Sequence, residues 1–218
     1  MILGQSDALL VIDVQNDFLP GGALPVPEGD RVIAPINRLI GLFPHVVVTQ
    51  DWHTPGHASF AARHPGKAPF DTAAMPYGTQ VLWPDHCVQG TPGAELAPGL
   101  DARRAGLLIR KGHAPEVDSY SAFLEADRTT RTGLAGYLRE RGLDRLFLCG
   151  LATDFCVLWS ALDARAEGFA VVLVEDAVAG LDRDGSVARA RRDGGGGRGP
   201  RRQRGDHRIT AGQDPGMT

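Results

Sequence analysis

The stretch RLFLCGLATDFCV, residues 145–157, decides the fold. Leu146–Cys149 is a short apolar run closed by Gly150, the pattern of a fully buried strand in a parallel sheet. Thr153 and Asp154 follow with side-chain oxygens suited to cap a helix. Behind them Val157, Leu158, Ala161, Leu162 and Arg165 recur at helical spacing. This order predicts strand, tight turn and helix, with Cys156 in the first helical turn. Unpaired N–H groups and the positive end of the helix dipole favour a thiolate there. Such surroundings bring a thiol from about 8.5 down to about 3.5–7.5. The competing reading makes Cys156 a small buried hydrophobe, as most free cysteines are.

Working outward, Ala8–Ile12 (ALLVI) reads as a buried first strand, closed by Asp13-Val14-Gln15-Asn16-Asp17. Pro20–Gly29 is a surface loop. A helix starting at Gly29 or Asp30 carries Val32, Ile33, Ile36, Leu39 and Ile40 on one face, with Pro35 tolerable only in its first turn. Val46–Thr49 is a second strand and Leu107–Arg110 a third. Thr132–Arg141 is a helix, and Ala170–Val174 a last strand ending at Glu175-Asp176. Asp51–Ala105 is long, rich in Pro and Gly, and carries four of the seven histidines; a loop region of that length is usually functional. Strands alternating with helices imply an α/β three-layer sandwich, a central mostly parallel sheet with helices on both faces.

The 218 residues suffice for one well-buried domain. With 43% hydrophobic and 22% charged residues the composition is that of an ordinary globular protein. Three cysteines without framework spacing argue for a reducing compartment. The apolar run Ala8–Ile12 is flanked by Asp7 and Asp13 and follows no basic segment, so neither a signal peptide nor a membrane span is expected, and the cytoplasm is the expected location. Among 23 Lys+Arg only Lys67 and Lys111 are lysine, a bias expected of GC-rich coding sequence. Where lysine persists, its compact ammonium draws notice.

The domain is expected over residues 1–188 and a tail over 189–218. Residues 184–218 hold eight Arg against four Asp, a balance of +4 that leaves −7 for the body of a chain with net charge −3. RARRDGGGGRGPRRQRGDHR cannot bury an apolar face and is expected to be disordered. It lacks aromatics for base stacking and is interrupted by acidic residues, so a nucleic-acid arm is disfavoured. An Arg/Gly/Pro-rich ending fits a shifted reading frame, with a closing helix and strand truncated.

Ligands of parallel sheets sit outside the carboxyl ends of the strands. Asp13, Lys111 and, after one turn, Cys156 fall at three such ends. A cysteine attacking a carbonyl needs a base, here Asp13, and a cation to hold it, here Lys111. Taken singly, Asp13 also reads as a turn former and Lys111 as a solvated strand end. Asp51-x-His53-x₃-His57, with His86, suits one divalent ion and leaves positions for water or substrate, although loops rich in His and Asp occur without metal. A closed cysteine-rich zinc site does not fit. Backbone N–H groups around Ala152 and Cys156 suit an oxyanion, or belong to an ordinary strand-to-helix turn. Cys149 and Cys156 lack C-x-x-C spacing, which disfavours redox chemistry.

Asp13-Val14-Gln15-Asn16-Asp17-Phe18, Asp51-Trp52-His53 with His57, Trp83-Pro84-Asp85-His86-Cys87, Lys111-Gly112 and Gly150-Leu151-Ala152-Thr153-Asp154-Phe155-Cys156-Val157 resemble, in order and spacing, the nicotinamidase/pyrazinamidase group of the isochorismatase-like cysteine hydrolases. The resemblance runs from about Ala8 to about Asp184. It implies a Cys156–Asp13–Lys111 triad and one divalent metal ion (Zn, Fe or Mn) on Asp51, His53, His57 and His86. It also implies a cis peptide at Leu151–Ala152 that aims the Ala152 N–H into the oxyanion hole. Phe18, Trp83, Tyr120, Leu151 and Ala152 would line the substrate pocket. The implied reaction turns nicotinamide into nicotinate and ammonia through a cysteine thioester, in a monomer or small homo-oligomer with no nucleic-acid or membrane partner. Two rival readings are another amidase of this scaffold, acting on ureido or N-carbamoyl substrates, and a relative inactivated by its altered C-terminus.

Overall fold

The computed structural model describes residues 2–181, so the tail expected over 189–218 lies outside the described residues. Along the chain run β1 (Asp7–Ile12), α1 (Ile33–Leu42), β2 (His45–Asp51), β3 (Thr72–Met75), β4 (Gly78–Val81), β5 (Leu107–Lys111), α2 (Leu134–Glu140), β6 (Arg145–Leu151), α3 (Leu158–Ala166) and β7 (Ala170–Ala179). Five strands form one parallel sheet in the order β5-β2-β1-β6-β7, while β3 and β4 form a separate antiparallel hairpin.

β1 and β6 are central, and every residue of β1 and all but Arg145 of β6 are buried. Strands covered on both faces read as continuous apolar runs, which is why these two were legible. Burying a side chain such as Leu9, Leu10 or Ile12 is worth about 1.5–3 kcal/mol each. From β1 the chain steps outward to β2 and β5; from β6 it steps the other way to β7. Right-handed crossovers then set α1 on one face of the sheet and α2 and α3 on the other. The walk reverses between β1 and β6, so the crevice beyond their carboxyl ends is the natural ligand site.

Close approach of the backbones at that reversal demands a glycine. Gly150 has φ +110°, and a Cβ there would run into the carbonyl of Ile12, its register partner on β1. On the other side, the β2–β5 register sets Asp51 directly opposite Lys111.

Three local expectations are corrected. Cys156 does not sit in a regular first helical turn: the Ala152 carbonyl accepts from the N–H groups of Phe155 and Val157, and a widened π-type turn over Thr153–Val157 precedes α3. The residue in the N-cap position is Ala152, not Thr153 or Asp154, and an Asp154 carboxylate oxygen accepts the Leu181 N–H at 3.1 Å. β7 does not stop at Glu175-Asp176 but runs on to Ala179. Leu148 pairs with Leu173 and Gly150 with Val178, so these two acidic residues bulge out of a strand that then resumes. The long 51–105 region also contains β3 and β4, whose half-exposed strands are too short to give a clear alternation.

Candidate active site

Four charged or nucleophilic groups converge at the crevice. Asp13 follows β1, Asp51 ends β2, Lys111 ends β5, and Cys156 lies in the turn after β6. Lys111 is fully buried, with Nζ 2.9 Å from Asp13 Oδ2, 3.0 Å from Asp51 Oδ1 and 3.5 Å from Cys156 Sγ. Its remaining bond goes to the Ser119 carbonyl at 2.9 Å. A buried ammonium survives only when its donors are met by charge, and here two carboxylates meet them. Thr49 completes the cluster: its hydroxyl donates to Asp13 Oδ1 at 2.5 Å and accepts the Asp13 N–H at 3.1 Å.

Burial opposes the charge on Lys111, but Asp13 and Asp51 outweigh it and hold the ammonium well above its usual range. Burial pushes the Asp13 carboxyl up, and Asp51 adds to this against the pull of Lys111. Burial likewise pushes the Cys156 thiol well up; Lys111 opposes, while Asp13 and Asp51 add to the rise. Burial, with Asp13 and Asp51 beside it, thus works against the thiolate expected from a helix N-terminus. The fully enclosed surroundings and the widened turn account for the difference.

Beside this cluster stand the histidines. Asp51, His53 and His86 are buried, with ligand atoms within 4.8 Å of one another. His53 Nδ1 donates to the Gly112 carbonyl at 2.9 Å and His86 Nδ1 to the Pro84 carbonyl at 2.8 Å, so in both rings Nε2 is turned inward. His53 Nε2 is 3.1 Å and His86 Nε2 3.6 Å from Asp51 Oδ2. This is a hard-to-borderline donor set with its outer nitrogens fixed by carbonyls, and it fits a divalent transition metal. Gly112 allows it: a Cβ there would come 2.7 Å from His53 Cε1. Against the cost of burial, Asp51 raises the His53 imidazole to about 9. Burial also works against charge on Asp51, but His53 and Lys111 prevail and hold it well below the carboxylate range.

The four expected metal residues are not brought into one set. His57 falls in a second group with His53 and Asp118. Its Nδ1 lies 2.8 Å from the Ser59 hydroxyl and its Nε2 2.8 Å from the Ala114 carbonyl. Burial and the neighbouring His53 charge depress its pKa.

A pocket beside Cys156 is lined by Phe18, Asp51, Trp83, His86, Asp118, Tyr120, Ala152 and Phe155, with Leu24 and Leu181. Trp83 meets Phe155 edge-on at 4.8 Å and Phe155 meets Tyr120 at 5.4 Å. Such a box suits a flat ring carrying one polar group. Leu151, expected in the pocket, is fully buried and does not line it; a Cβ on Gly29 would sit 3.5 Å from its Cδ1. The Leu151–Ala152 peptide is cis. Sequence reasoning missed Thr49, Gln80, Asp118 and Phe155. Thr49 had a signal, as the polar end of a β-branched strand; Asp118 and Gln80 had none beyond polarity in a loop-rich region.

Residues 7–193 match the isochorismatase domain. The chain is 56% identical over 183 residues to a nicotinamidase of Acinetobacter baylyi, covering 84% of this chain and 86% of that protein. A nicotinamidase/pyrazinamidase structure from Acinetobacter baumannii superposes with TM-score 0.83 at 55% identity, over 87% of this chain and 92% of that one. A Pyrococcus horikoshii pyrazinamidase in complex with zinc gives 0.67 at 40% identity, over 86% and 93%. With the family matched along most of its length and the fold shared with these relatives, the chain belongs to the isochorismatase family.

Proposed function

We propose that this chain is a nicotinamidase, hydrolysing nicotinamide to nicotinate and ammonia with Cys156, Asp13 and Lys111 as its chemical groups. The observation that carries the reading is one buried ammonium within 3.5 Å of both a carboxylate base and a thiol, directly under an aromatic pocket. The nicotinamidase relatives support the substrate.

Cys156 Sγ attacks the carboxamide carbon while its proton passes to Asp13, whose raised pKa lets it hold that proton. The N–H groups of Ala152 and Cys156 face the developing oxyanion. On collapse Asp13 returns the proton to the departing nitrogen, ammonia leaves, and a thioester remains on Cys156. Asp13 next takes a proton from water, which cleaves the thioester to nicotinate and restores the thiol. Lys111 stays charged throughout and keeps Asp13 aimed at the sulfur. Phe18 and Trp83 clasp the ring, with Tyr120 beside them.

Asp51, His53 and His86 would hold one divalent ion of the zinc, iron or manganese type, with His57 in the adjoining group. When bound, the ion supplies an electrophilic anchor for the ring nitrogen and so orients the amide. The residues around it exclude water and fix the two imidazoles.

The test is ammonia release from nicotinamide by purified protein, with ureido and N-carbamoyl amides as competitors and with a chelator as a further arm. Release that prefers nicotinamide and falls on chelation is expected. A folded, metal-loaded protein that leaves nicotinamide intact refutes the reading.

A further inference from the structure

Gln80 reaches the pocket wall from outside the parallel sheet. It lies on β4, yet it is only 2% exposed. A buried amide left without partners is costly, so its contacts matter. Nε2 lies 2.6 Å from Asp118 Oδ2, 2.9 Å from Tyr120 Oη and 2.7 Å from the Val81 carbonyl. Oε1 accepts the Tyr77 hydroxyl at 3.3 Å. Tyr120 Oη also accepts from Trp83 Nε1 at 3.2 Å. Asp118, Tyr120 and Trp83 all line the pocket, whereas Gln80 does not. Asp118 Oδ1 is in turn 4.0 Å from His53 Nε2. One amide therefore ties the hairpin to both the aromatic wall and the histidine cluster.

We infer that Gln80 is a positioning residue that sets substrate affinity, holding Tyr120 and Asp118 as one fixed wall of the ring pocket. This rests on the nicotinamidase reading for its substrate. Because Gln80 touches none of Asp13, Lys111 or Cys156, its loss should weaken binding and spare the chemical step. Gln80→Leu keeps the bulk and removes the bonds to Asp118 and Tyr120 along with those to Val81 and Tyr77; losing the two that hold the pocket wall corresponds to roughly tenfold in affinity.

The experiment compares wild type, Gln80→Leu, Tyr120→Phe and the double variant. Two quantities are read: steady-state ammonia release from nicotinamide, and the nicotinamide concentration that half-protects Cys156 from iodoacetamide, followed by mass spectrometry. Gln80→Leu should raise KM and the half-protection concentration about tenfold, with kcat and the unprotected alkylation rate within about threefold. Added to Tyr120→Phe it should shift both less than it does alone, since part of its effect runs through that hydroxyl and the rest through Asp118. KM and protection within twofold of wild type, a fall in kcat at fixed KM, or full additivity overturns the inference. Should Gln80→Leu fail to fold, Gln80→Asn, which withdraws the amide by one methylene, is judged by the same criteria. A wild type that releases no ammonia sinks the nicotinamidase reading while protection still decides on Gln80; one that shows neither ammonia nor protection sinks both.

Discussion

Asp51 and Lys111 are register partners across β2 and β5 and meet again beyond the strand ends, Nζ to Oδ1 at 3.0 Å. The same ammonium holds Asp13 at 2.9 Å. The histidine cluster and the Cys156 thiol thus share one cation, and a change at Lys111 should be felt at both.

Lys111→Arg is expected to lower kcat/KM by at least about 10²-fold, because a planar fork cannot replace a point charge among three oxygens and the Cys156 sulfur in a closed site. Lys111→Met leaves the buried Asp13 carboxylate without its cation and weakens the hold on Asp51, and should cost about 3–5 kcal/mol of stability by urea titration. Wild-type kinetics in the arginine variant would make Lys111 a bystander.

Cys156→Ala should reduce ammonia release by at least about 10³-fold while nicotinamide still binds, since the aromatic rings of the pocket are untouched. Calorimetric titration beside the ammonia assay separates the two effects; persistent turnover would exclude Cys156 as nucleophile.

His53→Ala should lower the metal content measured by elemental analysis and raise KM. Chelation of the wild-type protein should lower its melting temperature, because a ligand bound to the folded state alone stabilises it. Undiminished metal in the variant counts against His53 as a ligand.

Glu125 supplies a pH signature. Its side chain is buried, Oε2 has no hydrogen-bond partner among the described residues, and burial first, then Asp51, lifts the carboxyl to about 7 against Lys111, the Gly112 N–H and the Ser119 hydroxyl. In the folded state it keeps its proton to higher pH than in the unfolded chain. Stability should therefore fall as pH rises from about 4.5 to about 7, by up to about 3 kcal/mol, and stay low above. Glu125→Gln should flatten that fall, so its advantage over wild type grows between pH 5 and pH 8 in denaturation series. Parallel curves would contradict the assignment.

How much of this was legible follows from which signals are local. The buried runs at Ala8–Ile12 and Leu146–Cys149 announce central strands, and alternation with helices announces parallel pairing. The convergence of Asp13, Lys111 and Cys156 was legible because strand ends are readable and parallel sheets gather their ends. Gln80 and Asp118 were not, because their partnership spans 38 residues and depends on how a short hairpin folds back. The ionisation of Cys156 was misread for a similar reason: a helix start is written locally, whereas enclosure by Asp13, Asp51 and Lys111 is a property of the assembled crevice.

The tight seam between Gly150 and Ile12 also bears on how this protein can be altered. Asp13 comes one residue after Ile12 and Cys156 six after Gly150, so any side chain at 150 would wedge the two backbones apart and widen the gap between the Asp13 carboxyl and the Cys156 sulfur. A saturation library at that position should return glycine alone among active clones, however freely the neighbouring apolar residues are exchanged.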